Sequence, residues 1–287
     1  YLDFSQEELR FQAHHTLALG GDINLCRAYM PFQCIHYETG ETFDYISAEG
    51  RDRWKECREG TPAGYWEDIL KAGHSAWVVP ETGEYWIPTD VHSATATEAL
   101  KLMGLEVTDP KVFKYWRGIG KTYNFMKTYG GGPAKSADVL DITFEQCKAI
   151  DDGFITSFPV IPKYQQAIVN GVRRRGYIQN MYGRRYYITD ISKAYKLANY
   201  NIQGPCADDL KEKIDRISKW LEENNCRSQI LMPIHDEICY EVYDDEHWIV
   251  PHLCDMMMDT PKLLIPMVVE PDFTSTSWAD KEAYQIA

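Results

Sequence analysis

The stretch LMPIHDEICYEV, residues 231–242, sets an Asp-Glu pair between two apolar runs. Beyond the pair, Ile238, Tyr240 and Val242 alternate with Glu237, Cys239 and Glu241, the two-residue period of a strand. QILMPI (229–234) and EICYEV (237–242) therefore read as a hairpin with His235 and Asp236 at its turn. A carboxylate in such a turn is ordinarily a solvated loop residue. The chain also opens on a short apolar run, YLDFSQEELR (1–10), where Asp3 stands just ahead of a helix signature. An acid at a strand-to-helix junction is, again, ordinarily a cap or a solvent-facing group. Two such junctions in one chain suggest that Asp3 and Asp236 meet across a sheet. Paired carboxylates across two divalent ions form the clamp for in-line phosphoryl displacement.

Between these ends the pattern is mainly helical. SQEELRFQAHHTLALGG (5–21) has Ser5 as N-cap, Glu8 three residues on as in a capping box, and Gly20-Gly21 as its stop. Residues 31–90 are less regular, with a hairpin where HSAWVV and EYWIPTD flank PETG (80–83). SATATEALKLMG (93–104) reads as a helix ended by Gly104, and a second runs from Pro110 through Tyr129 to the terminator GGGP (130–133). Helices are expected over 143–151, 158–175, 190–198, 204–225 and 246–260. GYIQNMYGRRYYITD (176–190) reads as two strands joined near Tyr182-Gly183. Strands at both ends and helices between them predict an α+β fold, one sheet domain interrupted by a helical insertion.

The 287 residues, 44% of them hydrophobic, suffice to bury a core in one or two domains. No apolar run reaches the length of a membrane span and no secretory leader is evident, which reads as soluble and not secreted. The eight cysteines (26, 34, 57, 147, 206, 226, 239 and 254) form no C-x-x-C pair, which argues for reduced thiols and against zinc. A first residue Tyr1, with an element beginning at once, reads as the C-terminal part of something longer.

The formal net charge of −13 argues against a polyanion partner, but its distribution argues for one. Residues 111–135 carry six basic residues and no acid, and residues 163–196 carry eight against the single acid Asp190. After Gly204, eighteen carboxylates face seven Lys and Arg. A basic middle between acidic ends suits a polyanion bound on one surface, although any single run is also what a solvated helix face looks like. Within the basic middle, Arg117, Lys121, Phe125 and Tyr129 recur every four residues and share one helix face. Two cations followed by two aromatics place phosphate-binding charge at one end and a stacking platform at the other. A core-facing aromatic pair with surface bases has the same spacing.

DFSQEELR (3–10), RGIGKTYNFMKTYGG (117–131) and IHDE (234–237), in that order, resemble motifs A, B and C of the family A DNA polymerases. DVHSATA (90–96) and NYNIQG (199–204) resemble the family as well, and only 22–88 resembles it weakly. The resemblance implies an antiparallel palm sheet with a mainly helical fingers insertion, a right-hand polymerase lacking thumb and upstream palm. Residues 1–19 would be palm, 20–198 fingers with 22–88 as a divergent insertion and 111–130 as the nucleotide-binding helix, and 199–287 palm again. It implies template-directed DNA synthesis, with two Mg²⁺ ions, or Mn²⁺ as a substitute, on Asp3, Asp236 and the backbone carbonyl of Phe4. Gln6, Glu8, Arg117, Lys121, Phe125 and Tyr129 would bind the incoming nucleotide. Lys121 would donate the proton to pyrophosphate and Glu8 would crowd a ribose 2′-OH. Asn199, Gln203, His235 and Glu237 would touch DNA.

The implied partners are primer-template DNA, dNTPs and an N-terminal polymerase portion on the same or another chain, with no membrane. The implied place is the cytoplasm of a bacterial or phage-infected cell, or an organelle. Some positions depart from the family: Glu7 replaces an apolar residue, Met126 a Gly, Pro205 a Thr and Tyr195 a basic residue. Gly118 and Gly120 each cost a helix roughly 1 kcal/mol, which predicts a pliable nucleotide-binding helix. A long 22–88 leans toward a viral member. The alternatives are a single-subunit RNA polymerase, a non-catalytic DNA-binding subunit descended from a polymerase, and a nuclease. The nuclease would not need the Arg-Lys-Phe-Tyr face.

Overall fold

β1 (Leu2–Phe4) is three residues long and is paired on both sides. The neighbours are β9 (Glu237–Glu241) and β10 (Val269–Phe273), and the sheet is completed by β8 (Gln229–Ile234) beyond β9 and β11 (Glu282–Ala283) beyond β10. All four pairings are antiparallel, and the order is β11-β10-β1-β9-β8. Leu2 and Phe4 point into the core while Asp3, on the opposite face, stands across from Glu237 on one neighbour and Glu270 on the other. This computed structural model describes residues 1–17, 19–22, 25–26, 28–29, 33–35, 42–44, 77–78, 85–86, 91–265 and 267–284. β2 (Gln33–Ile35) pairs with β3 (Thr42–Asp44), and the expected hairpin before residue 90 is β4 (Trp77–Val78) with β5 (Tyr85–Trp86), which sets Trp77 opposite Trp86 and Val78 opposite Tyr85. Its turn, like most of the expected 22–88 insertion, lies outside the described residues.

The first helix, α1 (Glu7–Leu17), does not form the expected capping box. The Ser5 amide donates to Val268 O at 2.9 Å, and the helix starts one residue later on the carbonyl of Gln6, whose φ is +56°. The expected stop holds: Gly20 and Gly21 both have positive φ, and the Gly21 amide closes on Thr16 O. Asp22, just beyond, caps a distant helix by accepting from the Val160 amide at 2.9 Å. Its carboxyl is pushed up to about 6, mainly by burial.

The helical part builds on α2 (Val91–Leu102), whose small residues admit close neighbours. α3 (Pro110–Thr128) begins with Asp109 accepting from the Lys111 amide. It buries Trp116, Gly120, Tyr123, Asn124 and Thr128, which leaves the 117-121-125 stripe turned away from the buried face. A Cβ on Gly120 would stand 2.9 Å from His92 O, so this glycine is a close helix crossing. Gly118 has nothing within 4 Å of the same position. α4 (Pro133–Leu140), absent from the sequence expectation, uses Pro133 in its first turn, where a missing N–H costs nothing. α5 (Phe144–Ser157) runs past its expected end at 151 because Gly153 lies against Ala99 N and Thr95 O of α2. α6 (Val160–Arg175) leads into the hairpin β6 (Tyr177–Gln179) and β7 (Arg185–Tyr187), as expected.

The expected helices at 190–198 and 204–225 are a 3₁₀ turn at Ile191–Lys193 and one continuous α7 (Lys196–Glu223), which passes through Pro205. Pro205 cannot donate to Asn201 O four residues earlier, and that carbonyl pairs instead with His15 Nε2 of α1 at 2.8 Å. The His15 ring stacks on Tyr164 of α6 (centroids 5.5 Å apart), and neighbouring His14 accepts from the Leu264 amide at 3.0 Å. α8 (Ile249–Met258) is shorter than the expected 246–260. Sheet and helices share one core, in which Phe4, Phe11, Tyr123, Phe154, Ile238 and Val269 are at most 2% exposed.

Gly118→Ala is expected to stabilise the protein by up to about 1 kcal/mol through helix propensity, and Gly120→Ala to destabilise it by about 1–3 kcal/mol through overpacking. Urea midpoints of the two variants that shift in the same direction would contradict this. A second expectation concerns pH. Burial lowers His14 to about 3 and His15 to about 4, so the folded state binds fewer protons than the unfolded chain between about pH 4 and 6.5. Stability contributed by the neutral rings is complete above pH 6.5 and declines as pH falls, by on the order of 3 kcal/mol per ring. His15→Gln, measured by urea denaturation across this window, should flatten the slope.

Candidate active site

Asp3 and Asp236 reach one place by different routes. Asp3 is carried by the central strand, while Asp236 sits in the turn between β8 and β9 after His235, a non-glycine residue with φ +57°. The Phe4 amide donates to Asp236 O at 3.4 Å, tying the two segments together. Burial pushes the Asp3 carboxyl up to about 6, and the charges of Asp236 and Glu237 push in the same direction. Mutually repelling carboxylates with hard oxygen donors are a chemical match for Mg²⁺ or Mn²⁺ and a poor one for a soft metal. Among the described residues no group of three or more His, Cys, Asp or Glu side chains is set to hold an ion unaided.

Beside this pair lies a cavity of about 370 Å³, lined by Gln6, Glu8, Phe125, Tyr129, Gln203, His235 and Asp236 among others. Seven residues singled out by sequence therefore share one space. Its wall is hydrogen bonded: Gln203 Nε2 donates to Glu8 Oε1 (2.9 Å) and lies 2.9 Å from the Tyr129 hydroxyl, which donates to Glu8 Oε2 (3.3 Å). Asn199 Nδ2 donates to Gln203 Oε1 at 3.0 Å and orients the amide. Gln6 is held from behind by the Tyr29 hydroxyl at 2.9 Å, and the Arg10 guanidinium lies over the Tyr29 ring.

Other expected residues fall elsewhere. Lys121 and Arg117 lie roughly 6 and 12 Å further along α3 than Phe125, on the same face and outside the cavity lining. Glu237, expected against DNA, is 5% exposed. It accepts from Trp278 Nε1 at 3.0 Å and pairs with Lys281. Burial works to raise its carboxyl, but those hydrogen bonds outweigh it and hold the group below the usual range.

Sequence reasoning also passed over Glu7 as a site group. It lines the cavity floor, is 4% exposed, and its Oε1 has no hydrogen-bond partner. Burial, with Asp209 and Asp236 nearby, raises its carboxyl well above the ordinary value. Its only signal was an acid in an otherwise apolar position. Trp278 and Lys281 had no signal, because nothing local links them to residue 237.

Fold and site together define an α+β protein in which Asp236, tied to the strand that carries Asp3, lines a cavity walled by Phe125 and Tyr129. The family described as DNA polymerase family A matches residues 84–280. The chain belongs to the family A DNA polymerases. It is similar to the DNA polymerase of Mycobacterium phage D29, at 35% identity over 151 residues, covering 52% of this chain and 23% of that protein. It is also similar to the thermostable DNA polymerase I of Thermus aquaticus, at 28% identity over 191 residues, covering 63% of this chain and 22% of that protein. The chain thus spans less than a quarter of the length of these curated relatives. Among solved structures it resembles the POL domain of Pol1 from M. smegmatis in complex with DNA primer-template and dNTP. The TM-score is 0.61 at 22% identity, covering 93% of this chain and 38% of that one, a likeness of fold.

Proposed function

We propose that the chain supplies the palm and fingers of a DNA-directed DNA polymerase that extends a primer 3′-OH with deoxynucleotides. In this reading 1–19 and 199–287 make the palm, and 20–198 the fingers, with 22–88 as an insertion and 111–130 as the nucleotide-binding helix. What carries it is that Glu8, Phe125, Tyr129, Gln203 and Asp236, from separate parts of the chain, border one cavity.

Each side chain then has a task. Phe125 and Tyr129 offer the flat surface on which the nascent base pair stacks. Glu8, held by Gln203 and Tyr129, crowds a ribose 2′-OH. Arg117 and Lys121 meet the triphosphate when α3 closes over the cavity, and Lys121 gives its proton to the leaving pyrophosphate. Two Mg²⁺ ions, or Mn²⁺, held by Asp3, Asp236 and the Phe4 carbonyl, would activate the 3′-OH and neutralise charge on the phosphates. So few protein donors leave much of the coordination to substrate oxygens and water. Gln203 and His235 face the duplex, with Asn199 orienting Gln203.

An N-terminal portion, on the same or another chain, completes the polymerase. The 38% coverage of the solved POL domain supports this, as does the edge strand β8, where Leu231 and Met232 are each 53% exposed. The phage and bacterial relatives support a bacterial or phage-infected cytoplasm.

With the intact protein on a primer-template, Asp236→Asn is expected to reduce extension roughly 10³-fold, about 4 kcal/mol of barrier. Undiminished extension would instead point to a binding subunit without catalysis. Glu8→Ala is expected to raise ribonucleotide incorporation relative to deoxynucleotide by about 10²-fold, and Gln203→Ala by less. A wild-type protein that already prefers ribonucleotides in single-turnover assays would turn the reading to an RNA polymerase.

A further inference from the structure

Glu237 is a third carboxylate at the Asp3–Asp236 centre, following Asp236 in the chain and standing opposite Asp3 in the strand register. A buried carboxylate so placed is a natural additional ligand for a hard cation. Both of its oxygens are already engaged, and two of the three donors come from the far end of the chain. Trp278 Nε1 and the Cys239 thiol donate to Oε1 at 3.0 and 3.5 Å, and the Lys281 ammonium donates to Oε2.

Lys281 is itself held in place. Its ammonium lies 5.0 Å from the Tyr1 ring centroid and 5.1 Å from that of Trp278, and its side chain is 20% exposed. The turn Trp278–Asp280 is closed by Ser277 Oγ and Thr276 Oγ1 donating to Asp280 Oδ2 at 2.6 and 3.0 Å. Immediately after Lys281, β11 joins β10, the strand beside β1. The Lys281 charge is also felt at Asp3.

We propose that Lys281 is a positioning residue of the carboxylate centre: with Trp278 it withholds Glu237 from the cation site formed by Asp3 and Asp236, leaving coordination positions open for substrate oxygens. This rests on the cation site proposed above. Without the ammonium, Glu237 is an unpaired buried anion next to that site, and the cluster attracts a divalent ion more strongly while offering it a ligand in the wrong place.

The test is Mn²⁺ binding, followed by the electron paramagnetic resonance of the free ion, in the intact protein bound to primer-template. Lys281→Met is expected to tighten Mn²⁺ binding about fivefold, the effect of one unit charge at short range. Lys281→Arg should retain wild-type affinity, and Glu237→Gln combined with Lys281→Met should restore it. Trp278→Phe, which removes only the indole donor, should tighten binding by a smaller factor, and it decides the question if Lys281→Met does not fold. Affinities of the folded Lys281→Met or Trp278→Phe protein indistinguishable from wild type, with Asp236→Asn weakening Mn²⁺ binding, would overturn the inference and leave a merely structural ion pair. Mn²⁺ binding unaffected by Asp236→Asn would overturn the underlying cation site itself.

Discussion

The double pairing of β1 is the constraint on which the rest depends. Three residues from the start of the sequence are inserted between strands that lie more than 230 residues later. A three-residue strand is too short to be stable alone, and it is held because Leu2 and Phe4 are buried and both of its edges are hydrogen bonded. The same insertion forces Asp3 into the company of Asp236 and Glu237. Uncompensated, that proximity is repulsive. The chain answers it in part with Lys281 at Glu237.

The second fixed relation is between α1 and α7. Pro205 interrupts the hydrogen-bond ladder of a 28-residue helix and leaves Asn201 O without its intrahelical donor. His15 supplies the missing donor from α1. A defect in one helix thus becomes the bond that docks another, and it sets the rotation at which Glu8 of α1 meets Gln203 of α7. The low proton affinity of the buried His15 ring follows from the same placement, since charging it means ionising a group taken out of water.

α3 has two faces with separate duties. Trp116, Gly120 and Tyr123 bind it to the helical body, with Gly120 allowing near-contact with the backbone of α2. The other stripe carries Arg117, Lys121, Phe125 and Tyr129, and only its aromatic end reaches the cavity. The expectation of a pliable helix came from counting two glycines alike. One of them is a packing contact and one is open, a distinction that exists only once α2 lies alongside.

The residues that gather at the cavity were named by the family resemblance, whereas local chemistry in the sequence determined the α+β class, the hairpin at His235-Asp236, the strand pairs at 177–187 and 77–86, and most helices. Those features depend on period, caps and turn residues within a few positions of one another. The capping box at Ser5, the break before residue 204 and the outward role of Glu237 read differently in three dimensions. In each, the deciding partner is remote: Val268 for the Ser5 amide, His15 for the carbonyl freed by Pro205, Trp278 and Lys281 for Glu237. Hydrogen-bonding groups go to whatever partner burial brings, and burial is a property of the whole chain. Sequence alone could name the acids; only the tertiary structure decided which of them stand together and which one is paired with a lysine.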